Sequence, residues 1–197
     1  MLERTSAIAS GLARGGRQPH GAAGCRLGEV RGWALLQVAG FPGAIGAVER
    51  VVADAFGVGV PAKVGVAAHA DDATLLRTGP EQIWIIGPGD ALAQQATLHS
   101  TLAADIGVLT SLSHSRTWMF LDGPRARDVL AKGIAIDLHP DVFAVNHFAL
   151  TGLDHTPVLL HRTGAGRYEI FVMRTFALTV WDWLTDAALE YGYEVGV

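Results

Sequence analysis

The order of apolar and turn-forming residues predicts an α+β fold built from two β-α-β-β-α units, with an antiparallel-rich sheet and helices packed on one face. Three observations carry this. Short apolar strands alternate with longer helical patterns. A strand–turn–helix block, Trp33 to Phe56, recurs as Thr117 to Lys132. A strands-then-helix block, Thr74 to Ala104, recurs as His155 to Tyr191, an internal repeat of supersecondary size.

The elements follow in order. Residues 1–28 are rich in Ala, Gly, Ser and Arg; Arg4, Arg14, Arg17 and Arg26 face one acid, Glu3. The segment lacks the apolar core of a secretory signal, although its composition superficially resembles a transit peptide. It reads as a flexible N-terminal arm, either a solvated tail or an arm laid across a partner subunit. Residues 29–197 form the folded domain, in pseudo-repeats of about 29–112 and 113–197.

Gly32 to Val38 reads as a strand, with Trp33, Leu35 and Gln37 on one face. Pro42-Gly43 opens a helix to about Phe56, with Ile45, Val48, Val52 and Phe56 at helical spacing. Residues 57–65 are loop or short strand. Thr74–Arg77 and Gln82–Ile86 are strands about a Gly79-Pro80-Glu81 turn. Pro88-Gly89-Asp90 starts a helix from Ala91 to Ala104, and Val108–Leu112 is a strand.

In the central stretch from Arg116 to Lys132, Thr117, Met119 and Leu121 alternate with Trp118 and Phe120, which suits a strand covered on both faces. Asp122-Gly123-Pro124 then starts a helix: Asp122 or Gly123 caps it, Pro124 takes its first position, and Gly133 ends it. Arg125 and Arg127 fall in the first turn, where the helix dipole disfavours cations by roughly a few tenths of a kcal/mol each. Either both are solvated or one reaches a carboxylate on another subunit. Arg116, a charge at the start of an apolar strand, needs a partner or an exit to water.

Phe148–Leu153, Val158–Arg162 and Arg167–Met173 read as strands, the last two joined at Gly164-Ala165-Gly166. A helix from about Thr175 to Tyr191 closes the chain. Phe176, Val180, Trp183, Ala187 and Tyr191 make one apolar stripe. Trp181 lies roughly 140° away at about 3.6 residues per turn, and Leu178 and Leu189 continue that second face. The first stripe is expected to cover the sheet and the second to meet a partner, although scattered surface apolar residues are the plain alternative. Arg116, Arg125, Arg127, Leu178, Trp181 and Leu189 are therefore the candidate subunit-interface residues.

Composition narrows the function. Half of the 197 residues are hydrophobic and the mean hydropathy is +0.29, yet no apolar run is long enough to span a membrane. Contact with partner proteins accounts for the excess. A formal charge of −4 with no basic stripe argues against a nucleic-acid partner. Cys25 is the single cysteine, which rules out an internal disulfide framework and a cysteine-based zinc site and fits a reducing, cytoplasmic setting. His114, His139, His147, His155 and His161 show no metal-ligand spacing. Ser111, Ser113 and Ser115 have no nucleophile elbow, and neither glycine-bearing turn has a phosphate-loop pattern.

The run from Leu112 to Pro140, LSHSRTWMFLDGPRARDVLAKGIAIDLHP, resembles the γ subunit family of heterotetrameric sarcosine oxidases, which is similar to the folate-binding domain of the glycine cleavage T-protein (aminomethyltransferase). The likeness rests on S-R-T before the strand, G-P-R-A-R-D at the turn and K-G-x-x-x-D-L-H-P after it. It continues through Phe143, Pro157–Arg162 and the Phe176–Tyr191 helix. The resemblance implies two ferredoxin-like β-α-β-β-α halves. It also implies a non-catalytic subunit of a cytoplasmic flavoenzyme complex with α, β and δ partners. That complex oxidatively demethylates sarcosine to glycine, passes the one-carbon unit to tetrahydrofolate and forms hydrogen peroxide. FAD, FMN, NAD and tetrahydrofolate belong, on this resemblance, to the complex and not to this chain, so no catalytic, cofactor-binding or metal residue is carried over. Two further readings are a subunit of a related N-methyl amino acid dehydrogenase, for example one acting on N-methylglutamate, and a stand-alone folate-dependent aminomethyltransferase-like protein.

Overall fold

The computed structural model describes residues 5–18, 21–89 and 92–196. Glu3, Arg4, Asp90 and Ala91, named above, lie outside them. The elements are α1 (Ala9–Leu12), β1 (Cys25–Glu29), β2 (Trp33–Gly40), α2 (Ile45–Phe56), β3 (Ala67–His69), β4 (Thr74–Gly79), β5 (Gln82–Pro88), α3 (Gln95–Thr101), β6 (Gly107–Ser111), β7 (Arg116–Asp122), α4 (Ala126–Ala131), β8 (Phe148–Leu153), β9 (Thr156–Arg162), β10 (Arg167–Met173), α5 (Ala177–Ala188) and β11 (Tyr193–Gly196). A 3₁₀ turn, Arg174–Phe176, leads into α5. Gly32–Ser113 makes an inner unit; the chain up to Arg31 and from His114 onward makes a flanking unit.

The inner unit is a five-stranded antiparallel sheet in the order β3-β4-β5-β2-β6. The path β2–α2–β4–β5–α3–β6 is the β-α-β-β-α-β pattern of ferredoxin-like folds. Register follows from alternation: Leu36 pairs with Ile85 and Val38 with Ile83. One face of these strands packs with Val48, Val52 and Phe56 of α2 and Leu98 of α3. Gly57 ends α2 in the left-handed conformation (φ 67°), its N–H on the Ala53 carbonyl.

Two expectations for this unit change. Pro88 closes β5 opposite Trp33 instead of opening a helix, a position where its missing N–H is tolerated. The third helix is shorter than 91–104. The Ser100 and Thr101 hydroxyls donate back to the Thr97 carbonyl at 2.9 and 2.8 Å, and such local bonds compete with helix continuation.

The flanking unit is a six-stranded sheet in the order β11-β1-β7-β10-β9-β8. Its ladders are antiparallel except for β1 with β11. Leu27, Met119, Leu121, Leu160, Ile170 and Val172 form one face, covered by Ala126, Val129 and Leu130 of α4 and Val180, Trp181 and Leu184 of α5. Burying each large apolar side chain contributes about 1.5–3 kcal/mol.

Three further corrections belong here. The strands fall into two sheets, not one: among the described residues every ladder stays within its unit. Residues 25–28, assigned to the arm on composition, are the strand that joins β7 to β11, and Ala9–Leu12 is helical. The helix after β7 starts at Ala126, with Arg125 at its N-cap and no side-chain cap; Asp122 ends β7 and Gly123 turns the chain at φ 129°.

Candidate functional site

A cleft of about 300 Å³ opens in the flanking unit where β7, α4 and the β9–β10 turn meet. Gly123, Pro124, Arg127, Pro140, Arg162 and Tyr168 line it, with Ala165 and Gly166 of the turn. The register explains the gathering: Arg162 lies opposite Tyr168, and Tyr168 opposite Leu121, one residue before β7 ends. The Gly123 N–H donates to the Gly166 carbonyl at 3.1 Å. A side chain at Gly166 would run into the Gly123 backbone, so the tight approach of the two turns requires glycine there.

Arg162 is 6% exposed. Its Nη1 donates to the Phe143 carbonyl at 2.7 Å, its Nη2 to the Ala165 carbonyl at 2.9 Å and its Nε to the Gly164 carbonyl at 3.2 Å. The guanidinium lies 5.9 Å from the Tyr168 ring centroid. Burial pushes the Tyr168 phenol above its ordinary value, against the opposing pull of Arg162 and Arg127, so it stays protonated and neutral at physiological pH. Among the described residues neither arginine has a carboxylate within ion-pair distance.

On the opposite face of the same sheet, Glu169 is 4% exposed. It accepts from Trp118 Nε1, from Arg167 Nε at 2.8 Å and from the Thr163 hydroxyl at 3.4 Å. Burial raises its pKa above the ordinary 4.5, outweighing those bonds and the Arg167 charge.

Of the six expected interface residues only Arg127 lines the cleft. Arg125 pairs with Asp128 at 2.9 Å and lies 5.2 Å from the Tyr191 ring, a contact within the chain that offsets the dipole penalty. Arg116 is half-buried, and its Nη1 donates to the Ser115 hydroxyl at 3.1 Å. Burial lowers its pKa. Leu178 and Leu189 are half-buried.

The Trp181 assignment is corrected. At 1% exposure it belongs to this chain's own core, where its indole packs over Gly11 of α1. The second apolar face of the helix is covered by the chain's own N-terminal segment. Phe176, assigned to the core stripe, is 44% exposed.

Arg162 and Tyr168 were not singled out from sequence. The only local signal is a charge ending an apolar strand two residues before a Gly-x-Gly turn. Among the described residues no three His, Cys, Asp or Glu side chains converge as metal ligands. Burial pushes the Cys25 thiol up to about 11, which makes it a poor nucleophile. Among the described residues the cleft has no carboxylate in its lining to accept from the N–H edge of a pterin. Its volume sits at the floor of the range for drug-sized ligands, well short of a dinucleotide.

Residues 42–190 match the model of the sarcosine oxidase, gamma subunit family. The chain belongs to that family. It is 34% identical over 191 residues to sarcosine oxidase subunit gamma of Corynebacterium sp. (strain U-96), covering 96% of this chain and 92% of that one. To the subunit gamma of Corynebacterium sp. (strain P-1) it is 35% identical over 199 residues, covering 98% and 96%.

Among solved structures, it is similar to the heterotetrameric sarcosine oxidase from Corynebacterium sp. U-96 in complex with pyrrole 2-carboxylate. The TM-score is 0.83 at 32% identity, over 95% of this chain and 96% of that one. The glycine cleavage system aminomethyltransferase T from Bartonella henselae matches at a TM-score of 0.68 and 19% identity, over 88% of this chain and 48% of that one; that likeness establishes the fold alone. The family and the α+β architecture expected from residues 112–140 and from the repeat both stand.

Proposed function

We propose that this chain is a non-catalytic γ subunit that supports assembly of a heterotetrameric sarcosine oxidase. The carrying observation is the correspondence with γ subunits over 92% or more of both chains. The larger chemistry follows the resemblance: the α, β and δ partners hold FAD, FMN, NAD and tetrahydrofolate. The complex demethylates sarcosine to glycine, passes the one-carbon unit to tetrahydrofolate and forms hydrogen peroxide in the cytoplasm. No helix among the described residues is long and apolar enough to cross a membrane.

The surface supports a docking role. Val142 and Val145 are exposed in the segment before β8, Leu150 is 57% exposed within the edge strand β8, and Met173 and Phe176 are exposed before α5. Apolar groups left in water, Leu150 among them on an edge strand, favour a protein partner. Leu178, Leu189, Arg116, Arg125 and Arg127 remain proposed contacts; Trp181 does not.

The test is co-expression of the tagged chain with the remaining subunits of its complex. The expected product is a yellow, equimolar assembly that forms peroxide from sarcosine, and omitting this chain lowers the yield of assembled flavoprotein. A colourless lone chain, with the other subunits assembling and turning over normally without it, would overturn the reading.

A further inference from the structure

We propose that the two-arginine cleft is a carboxylate-binding site. The argument begins with charge. Arg162 is almost fully buried, and a buried cation is costly unless it is paired. Three backbone carbonyls orient it but bring no full negative charge. An arginine has five N–H donors, so two remain beyond those three bonds. Tyr168, the polar side chain beside it, is a neutral phenol and neutralises nothing.

Arg127 adds a second cation on the rim of the same cleft, again with no acid in ion-pair range among the described residues. Pro124 and Pro140 stiffen the walls, and the Gly123–Gly166 contact fixes the floor. Two guanidinium groups converging on one small volume, one of them pre-oriented, match the planar charge of a carboxylate. The Tyr168 hydroxyl is a further donor for it. The bland role of Arg162, tying the β9–β10 turn to Phe143, uses three donors and leaves Arg127 unexplained.

The carboxylate can come from a free small acid or from an acidic residue of a neighbouring subunit; the recognition chemistry is the same. The experiment titrates the full-length chain, and then the assembled complex, with succinate and with uncharged succinamide of the same shape. The lone chain is expected to bind one succinate saturably and no succinamide. Arg127→Ala, at an exposed position, should weaken succinate by about tenfold or more with an unchanged unfolding midpoint, and Arg127→Lys should recover part of the loss. Succinate binding that persists in the complex identifies a free acid as the occupant; binding that vanishes on assembly identifies a partner's carboxylate. Equal binding of succinate and succinamide, binding unaffected by Arg127→Ala, or no saturable binding by either the chain or the complex overturns the site. None of those results changes co-purification with the larger subunits, so failure here is separable from failure of the assembly role.

Discussion

The inner and flanking units lay down the same sheet order from different parts of the chain. Reading β3-β4-β5-β2 against β8-β9-β10-β7, each position matches. The next position does not. In the inner unit it is filled by β6, the strand that follows α3 locally. In the flanking unit it is filled by β1 from the N-terminal segment, and the local strand β11 pairs outside it in parallel. The inner unit closes within Gly32–Ser113. The flanking unit closes only when Cys25 meets Tyr193. A repeat specified by local patterning can thus be completed locally or at long range. The long-range solution carries more loop-closure entropy but ties the N-terminal segment to the last elements, since α1 packs on α5 and β1 pairs with both β7 and β11.

The largest break in this arrangement is Trp181→Asp. It removes the biggest fully buried side chain and leaves a charge in its place, at a cost of about 4 kcal/mol or more. Hydrogen exchange is expected to rise in β7 and β10 before β2 and β5, and soluble yield should fall. Phe176→Asp, at an exposed position, should stay within about 0.5 kcal/mol of the parent. Normal folding of Trp181→Asp together with failed assembly would restore Trp181 to the interface.

A smaller effect isolates the N-terminal contribution. Gly11 leaves room for the Trp181 indole, and any Cβ there collides with it. Gly11→Val should lift α1 from α5 and cost about 1–3 kcal/mol, read as a lower urea midpoint and a red-shifted tryptophan emission. A variant as stable as the parent would mean that α1 is an ornament on the flanking unit, which would then close as locally as the inner one.

Much of this architecture was legible in the sequence, and the gaps have physical causes. The strands β2, β4, β5, β7, β9 and β10 announce themselves because apolar residues fill both their faces or alternate cleanly. β1 and β11 do not. In CRLGE only Cys25 and Leu27 point inward, while Gly28 is demanded by Phe120 and the Gly196 carbonyl pressing against it. In YEVG the strand is too short to show a period.

The two faces of α5 are legible in the sequence, and Val180 and Ala187 lie in the core as expected, but one side chain of each face is misplaced: Trp181 is core and Phe176 is exposed. Phe176 sits in a 3₁₀ turn before the helix starts, where each residue turns farther than in an α-helix, so it leaves the stripe that α-helical spacing predicts. The cleft was half legible. Arg127 stood out as a cation in a first helical turn, whereas Arg162 and Tyr168 are brought to it by strand register, which no local pattern reveals.

The subtlest difference between the units is the sign of the buried member of their internal ion pairs. In the inner unit the buried member of the pair is a cation, Arg77, held by Glu49 and by the Pro61 and Pro80 carbonyls. In the flanking unit it is an anion, Glu169, held by Arg167, Trp118 and Thr163. A guanidinium stays charged at every accessible pH. Glu169 is different. Its folded pKa lies above 4.5, so the native state holds that proton more tightly than the unfolded chain. The stability it contributes is fully present below 4.5 and declines as the pH rises through that value toward the folded pKa. Glu169→Gln, neutral throughout, lacks that decline. The stability difference between parent and variant, followed by urea unfolding from pH 4 upward, should therefore shift steadily in favour of the variant. A shift in favour of the parent would mean that Arg167 and Trp118 outweigh desolvation, so that the flanking unit, like the inner one, stabilises its buried charge by pairing.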